Sequence, residues 1–198
     1  MNLFARTLGG FASDLLAKPF GMRGRLWAYF ITQFVEGILC IVLSTLHETL
    51  AGTLICIVCF SLFVQAAEGA SFGIVPFVSK RGLGMVSGLV GAGGNADSGL
   101  LLALFFQGEI VDVPTYEGLR YTGIVVAGMT LLLVPTLYFP MWGGMLCGPK
   151  EGVTEEDYYG AEFTPEERRQ GLADKVLLFA RESRSQRGSR AKQPAPEQ

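Results

Sequence analysis

The sequence predicts an all-α membrane protein followed by a polar tail, and three observations carry this prediction. Of its 198 residues, 49% are hydrophobic and 17% are charged, whereas a soluble domain carries about 25% charged residues. Four separate segments are apolar enough for bilayer-crossing helices, which need roughly 20 residues each. Charge is concentrated at one end, because nine of the 16 basic residues and ten of the 18 acidic residues follow Cys147.

The predicted membrane region covers residues 1–147, with spans at 26–46, 50–78, 83–106 and 121–142, and the tail covers 148–198. The second span is long enough to tilt or to kink near Pro76. Residues 1–11 are interpreted as the end of an earlier span whose natural start was lost. A soluble α/β enzyme would need strands of 4–8 residues between polar turns, and no segment before Gly148 shows that pattern.

Charges in the connections between the spans predict the orientation. The connections at 13–25 and 79–82 are basic, whereas those at 44–49 and 107–120 carry no excess of lysine and arginine. Four spans that obey the positive-inside rule require this alternation. Both basic connections and the tail are therefore expected in the cytoplasm.

Residues 82–99, GLGMVSGLVGAGGNADSG, contain a glycine face. Its members recur at i, i+4, i+7 and i+11 of a helix and are Gly84, Gly88, Gly91 and Asn95. One interpretation is a close-packed helix interface of the small-xxx-small kind. The other is a binding face on which the Asn95 amide donates to an anion. A nucleotide-binding loop is disfavoured, because no strand precedes the glycines.

Other chemistry is not indicated by the sequence. The four cysteines form no disulfide framework, and three of them lie in apolar runs as small core residues. No metal-ligand cluster surrounds the lone His47, and no nucleophile–base pair can be recognised. The net charge of −2 comes without a basic patch that alternates with aromatics. We therefore expect no enzyme activity, no cofactor and no nucleic-acid partner.

Three segments carry a family resemblance. Residues 71–100, SFGIVPFVSKRGLGMVSGLVGAGGNADSGL, resemble the nitrate signature region of nitrate/nitrite porters. These are the high-affinity nitrate transporters of the major facilitator superfamily, and the resemblance is to the eukaryotic algal and plant branch. Residues 8–25 resemble the family's connection between helices eight and nine. Residues 155–162 (EEDYYGAE) and 181–188 (RESRSQRG) resemble the cytoplasmic C-terminal end of the family's proteins.

The resemblance implies a C-terminal portion of the major facilitator fold, with the end of helix eight, helices nine to twelve and a cytoplasmic tail. It also implies proton-coupled uptake of nitrate or nitrite at the plasma membrane. The implied partners are the missing N-terminal half of the transporter and a small single-span accessory protein. An alternative hypothesis is a truncated membrane interaction protein that associates with a complete transporter and transports nothing itself.

Arg6 is the leading candidate for substrate binding, together with Gly91, Gly94 and Asn95. It lies eight residues before Asp14, which places it roughly 12 Å into its helix. An arginine at that depth usually faces a partner or a cavity, and its planar donors suit a flat oxyanion. The alternative is that Arg6 snorkels to the interface. ARTLGG resembles the helix-eight segment whose arginine contacts nitrate in this family.

Three intramembrane acids, Glu36, Glu68 and Asp97, are candidates for a proton relay. Each glutamate can instead form a hydrogen bond to a neighbouring helix. Asp97 stands where the family has glycine, about 200° around the helix from Asn95, so we do not expect it to share the Asn95 face. Whether it pairs, is protonated or weakens anion binding stays open.

The loop motif of major facilitators is similar to the segment with Asp14, Arg23 and Arg25. A carboxylate near a helix N-terminus is favoured by the helix dipole, so Asp14 is predicted to latch one state of a gating loop.

The tail is interpreted as polar and without a core. Thr164 and Pro165 predict the start of a helix that runs to about Arg181. Ser183, Ser185 and Ser189 lie among arginines, a setting for phosphorylation. The alternative is a solvated, disordered terminus.

Overall fold

The computed structural model describes residues 2–46, 48–107 and 113–182, with only the backbone given for residues 2, 3, 181 and 182. The predicted all-α architecture is confirmed. The helices are α1 Asn2–Phe20, α2 Met22–Thr45, α3 Leu50–Phe72, α4 Leu83–Phe105, α5 Thr115–Thr136, α6 Glu155–Gly160, α7 Pro165–Arg169 and α8 Asp174–Glu182. A 3-10 turn, Val75–Phe77, follows α3.

Among the described residues, four helices, α2 to α5, are long and apolar enough to cross a membrane, with α3 extended through the 3-10 turn. Their bounds differ from the predicted spans at two points. Helix α2 begins at Met22 rather than at residue 26, and α5 covers Thr115–Thr136 rather than 121–142. Pro140 and Trp142 therefore lie beyond α5, where β1 (Tyr138–Phe139) pairs antiparallel with β2 (Gly143–Gly144).

Small residues hold the long helices in close pairs. A methyl group added at Gly9 would overlap the Ala66 carbonyl, and one at Gly69 would overlap the Arg6 carbonyl. Helices α1 and α3 are thus packed backbone against backbone. A methyl group at Gly123 would similarly lie 2.7 Å from the carbonyl oxygen of Gly37, which joins α5 to α2. Such contact maximises dispersion forces where lipid provides no hydrophobic drive for association.

The connection predicted at 13–25 is almost entirely helical, and this corrects the expected gating loop. Asp14 lies within α1, and Arg23 and Arg25 lie in the first turn of α2. Gly21 alone separates the two helices, with a φ of 64° that favours glycine. The charges predicted for a loop therefore occupy fixed positions on two antiparallel helices.

The tail forms part of a core, which corrects its interpretation as a wholly polar segment. Tyr159 in α6 and Ala180 in α8 are completely buried. They pack in one cluster with side chains from the start of α2, from the 3-10 turn region and from the β hairpin, namely Met22, Leu26, Ile74, Phe139, Met141, Trp142 and Met145. We call this part of the molecule the tail-bearing end.

The helix predicted from Thr164 to about Arg181 is divided in two. The predicted cap is present, because the Thr164 hydroxyl accepts from the Glu167 N–H and the Glu167 carboxylate accepts from the Thr164 N–H. However, α7 ends at Arg169, and Gly171 takes a φ of 75° before α8 begins at Asp174. This left-handed residue turns α8 so that its apolar side faces the cluster.

Candidate functional site

A cleft of about 620 Å³ lies between α2, α3 and α4. Six of the seven residues predicted for substrate binding or a proton relay line it. Helix α2 contributes Tyr29, Gln33 and Glu36; α3 contributes Val64, Ala67, Glu68, Ser71 and Phe72; and α4 contributes Val90, Gly91, Gly93, Gly94, Asn95, Asp97 and Ser98. The six that meet there are Glu36, Glu68, Gly91, Gly94, Asn95 and Asp97, whereas Arg6 is not among the lining residues.

The cleft brings three carboxyl groups together from three helices. Glu36, Glu68 and Asp97 come from α2, α3 and α4 respectively. Ionisable groups within spanning helices are costly and are retained on ion or substrate pathways. Their convergence on one space favours a site for charged solutes over three separate structural hydrogen bonds.

Arg6 lies at the margin of the cleft, where its guanidinium forms an ion pair with Glu68. The arginine itself is not among the lining residues, but its partner is. Close contact between α1 and α3 at Gly9 and Gly69 explains the pairing, because it brings both side chains to the same edge. The two side chains remain about half and two-fifths exposed (50% and 38%), and that of Glu68 lines the cleft.

The glycines of α4 are open within the described part of the chain. Methyl groups added at Gly84, Gly88, Gly91 or Gly94 would meet nothing within 4 Å, and no residue of α4 is buried. This face has no close-packed partner among the described residues, whereas close helix packing is present between α1 and α3. On α4, the missing side chains leave room beside Asn95.

Asp97 lines the same cleft as Asn95, although it does not share the Asn95 face of α4. The two residues do lie on different sides of α4. The lining residues nevertheless run from Val90 to Ser98 and cover more than half of the helix circumference. Because the neighbouring helices leave so much of α4 uncovered, both side chains reach one space.

Sequence reasoning identified Glu36 and Glu68 but missed Tyr29, Gln33 and Ser71, the other polar residues that α2 and α3 contribute to the cleft. Tyr29, Gln33 and Glu36 recur at i, i+4 and i+7, so they form a polar stripe along an otherwise apolar helix. This stripe could have been recognised in the sequence as a polar face of α2. Ser71 gave no such signal, and its hydroxyl donates to the Glu68 carbonyl oxygen at 2.8 Å.

The three residues predicted for gating lie at the tail-bearing end, away from the cleft. Arg25 donates to the Asp14 carboxylate at 2.6 Å and stands 5.3 Å from the Phe77 ring centroid. Arg23 donates to the Gly144 carbonyl oxygen at 3.2 Å. The contacts of these two arginines join α1, α2, the 3-10 turn and the hairpin. The predicted phosphorylation sites Ser183, Ser185 and Ser189 lie outside the described residues.

Fold and cleft together define a multi-pass helical membrane protein with a charged space between its helices, a construction typical of transporters. The chain is similar to Nitrate transporter 2.1 of Chlamydomonas reinhardtii, with 50% identity over 98% of this chain and 36% of that protein. It is also similar to High affinity nitrate transporter 2.5 of Arabidopsis thaliana, with 46% identity over 94% of this chain and 37% of the relative.

A third relative, High-affinity nitrate transporter 2.3 of Oryza sativa subsp. japonica, is 43% identical over 92% of this chain and 35% of its own length. No family model and no solved structure matches the chain. Over the part that it spans, just over a third of these relatives, the chain belongs to the high-affinity nitrate transporters of algae and plants, within the major facilitator superfamily. The resemblance noted at residues 71–100 is thereby confirmed.

Proposed function

We propose that the chain forms part of a nitrate transporter and supplies one side of its anion site. The observation that carries this proposal is the Arg6–Glu68 pair at the edge of a cleft whose opposite wall is the open glycine face of α4. The names of the relatives support nitrate as the substrate.

Anion binding is assigned to Arg6 and Asn95, with Gly91 and Gly94 providing room. The guanidinium presents a planar set of donors that matches a flat oxyanion in two-point contact. The Asn95 amide adds neutral donors from the opposite wall. Glycines within a helix offer few free N–H groups, because these already bond along the helix. Their contribution is space for a close approach.

The charges around the cleft support a proposal of proton coupling. Glu36, Glu68 and Asp97 would together carry three negative charges when ionised, and an anion entering among them would be repelled. Nitrate and the Glu68 carboxylate also compete for the same guanidinium. Protonation of Glu68 removes its hold on Arg6, so that proton binding and anion binding favour each other. This reciprocal effect is what proton-coupled uptake needs.

Uptake measurements on the complete transporter that contains this chain test the assignment. We expect Arg6→Ala to abolish nitrate uptake and Arg6→Lys to weaken it, with surface amounts unchanged. Glu68→Gln is expected to keep nitrate transport but to lose much of its dependence on external pH. Arg120→Ala is the matched control, because it also removes an arginine from a spanning helix. Arg120 is not among the residues that line the cleft, and it stands over the Tyr121 ring of α5 at 5.6 Å.

Two results would contradict the assignment. Normal uptake by Arg6→Ala would remove Arg6 from the site. An unaltered pH profile in Glu68→Gln would remove Glu68 from proton coupling. Parallel currents with nitrite determine which anion the site prefers.

The orientation proposed is a plasma-membrane protein with its tail-bearing end in the cytoplasm. Lys80 and Arg81 meet the tail directly, and Arg23 meets the hairpin that leads to it. Basic groups of both connections therefore collect at one end of the bundle, and the positive-inside rule assigns such an end to the cytoplasm. Accessibility of a cysteine introduced at Glu151 to an impermeant thiol reagent checks this orientation.

The remaining part of the transporter is proposed as the partner of the open face of α4, and a single-span accessory protein as a further partner. The uncovered state of α4 supports the first partner. It equally fits the alternative of a non-transporting chain that associates with a complete transporter. Sequencing of the transcript upstream of Met1 separates the two, because part of a complete transporter requires further spans there and the alternative requires none.

A further inference from the structure

The tail folds back onto the bundle and is attached there by both apolar and polar contacts. Its apolar part centres on Tyr159, whose ring packs against Phe179 at 5.8 Å between centroids. Phe179 in turn lies 6.0 Å from Phe77, and Phe77 lies 5.6 Å from Trp142. An aromatic group of this size buries enough apolar surface to keep a short segment in place.

Two tyrosines also bond to the backbone just beyond α3. The Tyr159 hydroxyl donates to the Phe77 carbonyl oxygen, and the Tyr158 hydroxyl donates to the Val78 carbonyl oxygen, each at 2.9 Å. These carbonyls follow the end of α3 and have no partner further along a helix. The tail therefore completes the hydrogen bonding of the segment that connects α3 with α4.

Arg81 forms the polar attachment. Its guanidinium makes a two-point contact with the Glu167 carboxylate, both bonds at 2.8 Å, and donates to the Glu162 carbonyl oxygen at 2.8 Å. Its backbone N–H donates to the Glu162 carboxylate at 2.9 Å. The Arg81 hydrogen bond holds the pKa of Glu167 at about 2. Beside it, the Lys80 ammonium lies 3.4 Å from the Phe179 ring centroid.

The attached connection leads directly into α4. Helix α4 begins at Leu83, two residues after Arg81, and has no buried residue within the described chain. At its far end Phe105 packs on Tyr121 of α5 at 5.7 Å between centroids. Helix α4 thus has its main contacts at its two ends. At its N-terminal end, the tail provides many of these contacts through Arg81.

We propose that residues 154–182 form a strap that fixes the start of α4 through Arg81, and that opening this attachment frees α4 to move beside the cleft. The apolar contacts keep the strap nearby while the ionic contact opens. Arg81 and Glu167 are 49% and 26% exposed, so ions and water reach their contact, and an exposed ion pair is readily screened. The strap therefore links conditions at the tail-bearing end with the position of a cleft wall.

Hydrogen exchange of the purified 198-residue chain in lipid nanodiscs tests the strap, and it requires no substrate. The variants are Arg81→Glu, Glu167→Arg and the exchanged pair Arg81→Glu/Glu167→Arg. We expect each single variant to speed exchange at residues 155–160 and 83–90 by about threefold or more. The exchanged pair is expected to recover much of the protection, because it restores opposite charges.

Glu166→Arg is the matched control. Glu166 lies on the same short helix as Glu167 but is exposed to solvent, so the same charge change there is expected to leave exchange at both segments as in the wild type. Tyr159→Phe is the second variant, for the case in which charge reversal prevents folding. It removes the hydrogen bond to Phe77 and keeps the ring, and it is expected to speed exchange at residues 155–160.

Two outcomes would overturn the proposal. Exchange at residues 155–160 that is the same in Arg81→Glu, in Tyr159→Phe and in the Glu166→Arg control would show that the tail is not attached in this way. Alternatively, faster exchange in the tail without any change at residues 83–90 would show that the tail does not hold α4. Neither outcome depends on nitrate transport, so this experiment tests the strap independently of the proposed function.

Discussion

Gly69 and Gly91 lie in the apolar helices α3 and α4, yet they have opposite surroundings. Gly69 presses against the backbone of α1 so closely that a single methyl group would overlap the Arg6 carbonyl, whereas a methyl group at Gly91 would meet nothing within 4 Å. The same residue type thus serves close helix packing in one place and free space in the other. The neighbours differ accordingly: Gly69 faces the backbone of Arg6 and Gly10 in α1, whereas Gly91 shares its helix with Asn95 and Asp97.

The comparison shows that the structural role of a glycine pattern depends on the surface that faces it. Close packing of α1 on α3 sets the position of Arg6 relative to Glu68, and the open face of α4 leaves the space that this pair borders. Packed glycines therefore place the charges, and open glycines leave space in the cleft beside α4.

The largest expected effect comes from filling the packed contact. In Gly69→Ala the new methyl group must push α1 away from α3, at a cost of about 1–3 kcal/mol. Thermal unfolding in nanodiscs, followed by circular dichroism, should show a midpoint several degrees lower. Gly99→Ala is the control, because Gly99 has open space around it and alanine favours a helix by about 1 kcal/mol over glycine. An equal loss in both variants would refute the distinction.

Filling the open face should leave folding unchanged and impair transport. Gly91→Leu places a bulky side chain in the cleft without touching another helix of the described chain. Nitrate uptake by the complete transporter is expected to fall at least about tenfold, equivalent to about 1.4 kcal/mol, with a normal surface amount. If Gly91→Leu instead lowers the unfolding midpoint as Gly69→Ala does, the α4 face is a packing surface after all.

A smaller effect is expected from the charge on the open face. Asp97→Asn removes a negative charge from the cleft wall, which lessens repulsion of an anion. We expect the KM for nitrate uptake to fall roughly threefold, since part of this repulsion is screened by water. Asp97→Glu keeps the charge and serves as the control. An unchanged KM in Asp97→Asn would place Asp97 outside the electrostatic reach of the substrate.

The smallest expected effect concerns pH at the strap that holds α4. Arg81 lowers the pKa of Glu167 to about 2, and the Thr154 hydroxyl, followed by the Thr154 N–H, lowers the pKa of Asp157. A depressed carboxyl pKa stabilises the attached tail above the ordinary carboxyl pKa, and this contribution is lost as the pH falls through the depressed value. Fluorescence of Trp142 in a Trp27→Phe background should therefore change between about pH 4.5 and 2.

The matched variant for this measurement is Glu167→Gln, which cannot titrate and should lose part of that fluorescence change. An identical pH profile in both proteins would mean that Glu167 does not hold the tail.

Much of the fold was predictable from periodic and compositional signals. Helices α2 to α5 follow from apolar runs of bilayer length, and the Thr164 cap follows from a threonine, a proline and a glutamate at the correct spacing. The hairpin around Trp142 was not predictable, because its aromatic and proline residues are equally typical of a membrane interface. The break at Gly171 was missed because an isolated glycine within a polar helix is often tolerated.

The candidate site was predictable in its residues but not in its arrangement. Arg6, Glu36, Glu68 and Asn95 stand out as polar groups in apolar helices, and each could be identified one helix at a time. That Arg6 pairs with Glu68 depends on the meeting of two backbones at Gly9 and Gly69, which are distant in sequence.

The sequence by itself determined the helices, their apolar character and the family, because these depend on local composition and on spacing along one chain. Only the tertiary structure decided which glycines are packed and which are open, and that Asp97 reaches the same cleft as Asn95. It also decided that the tail closes over the bundle through Tyr159 and Arg81. The physical reason is that exposure and pairing depend on the surface that opposes a residue, which no pattern within a single helix specifies.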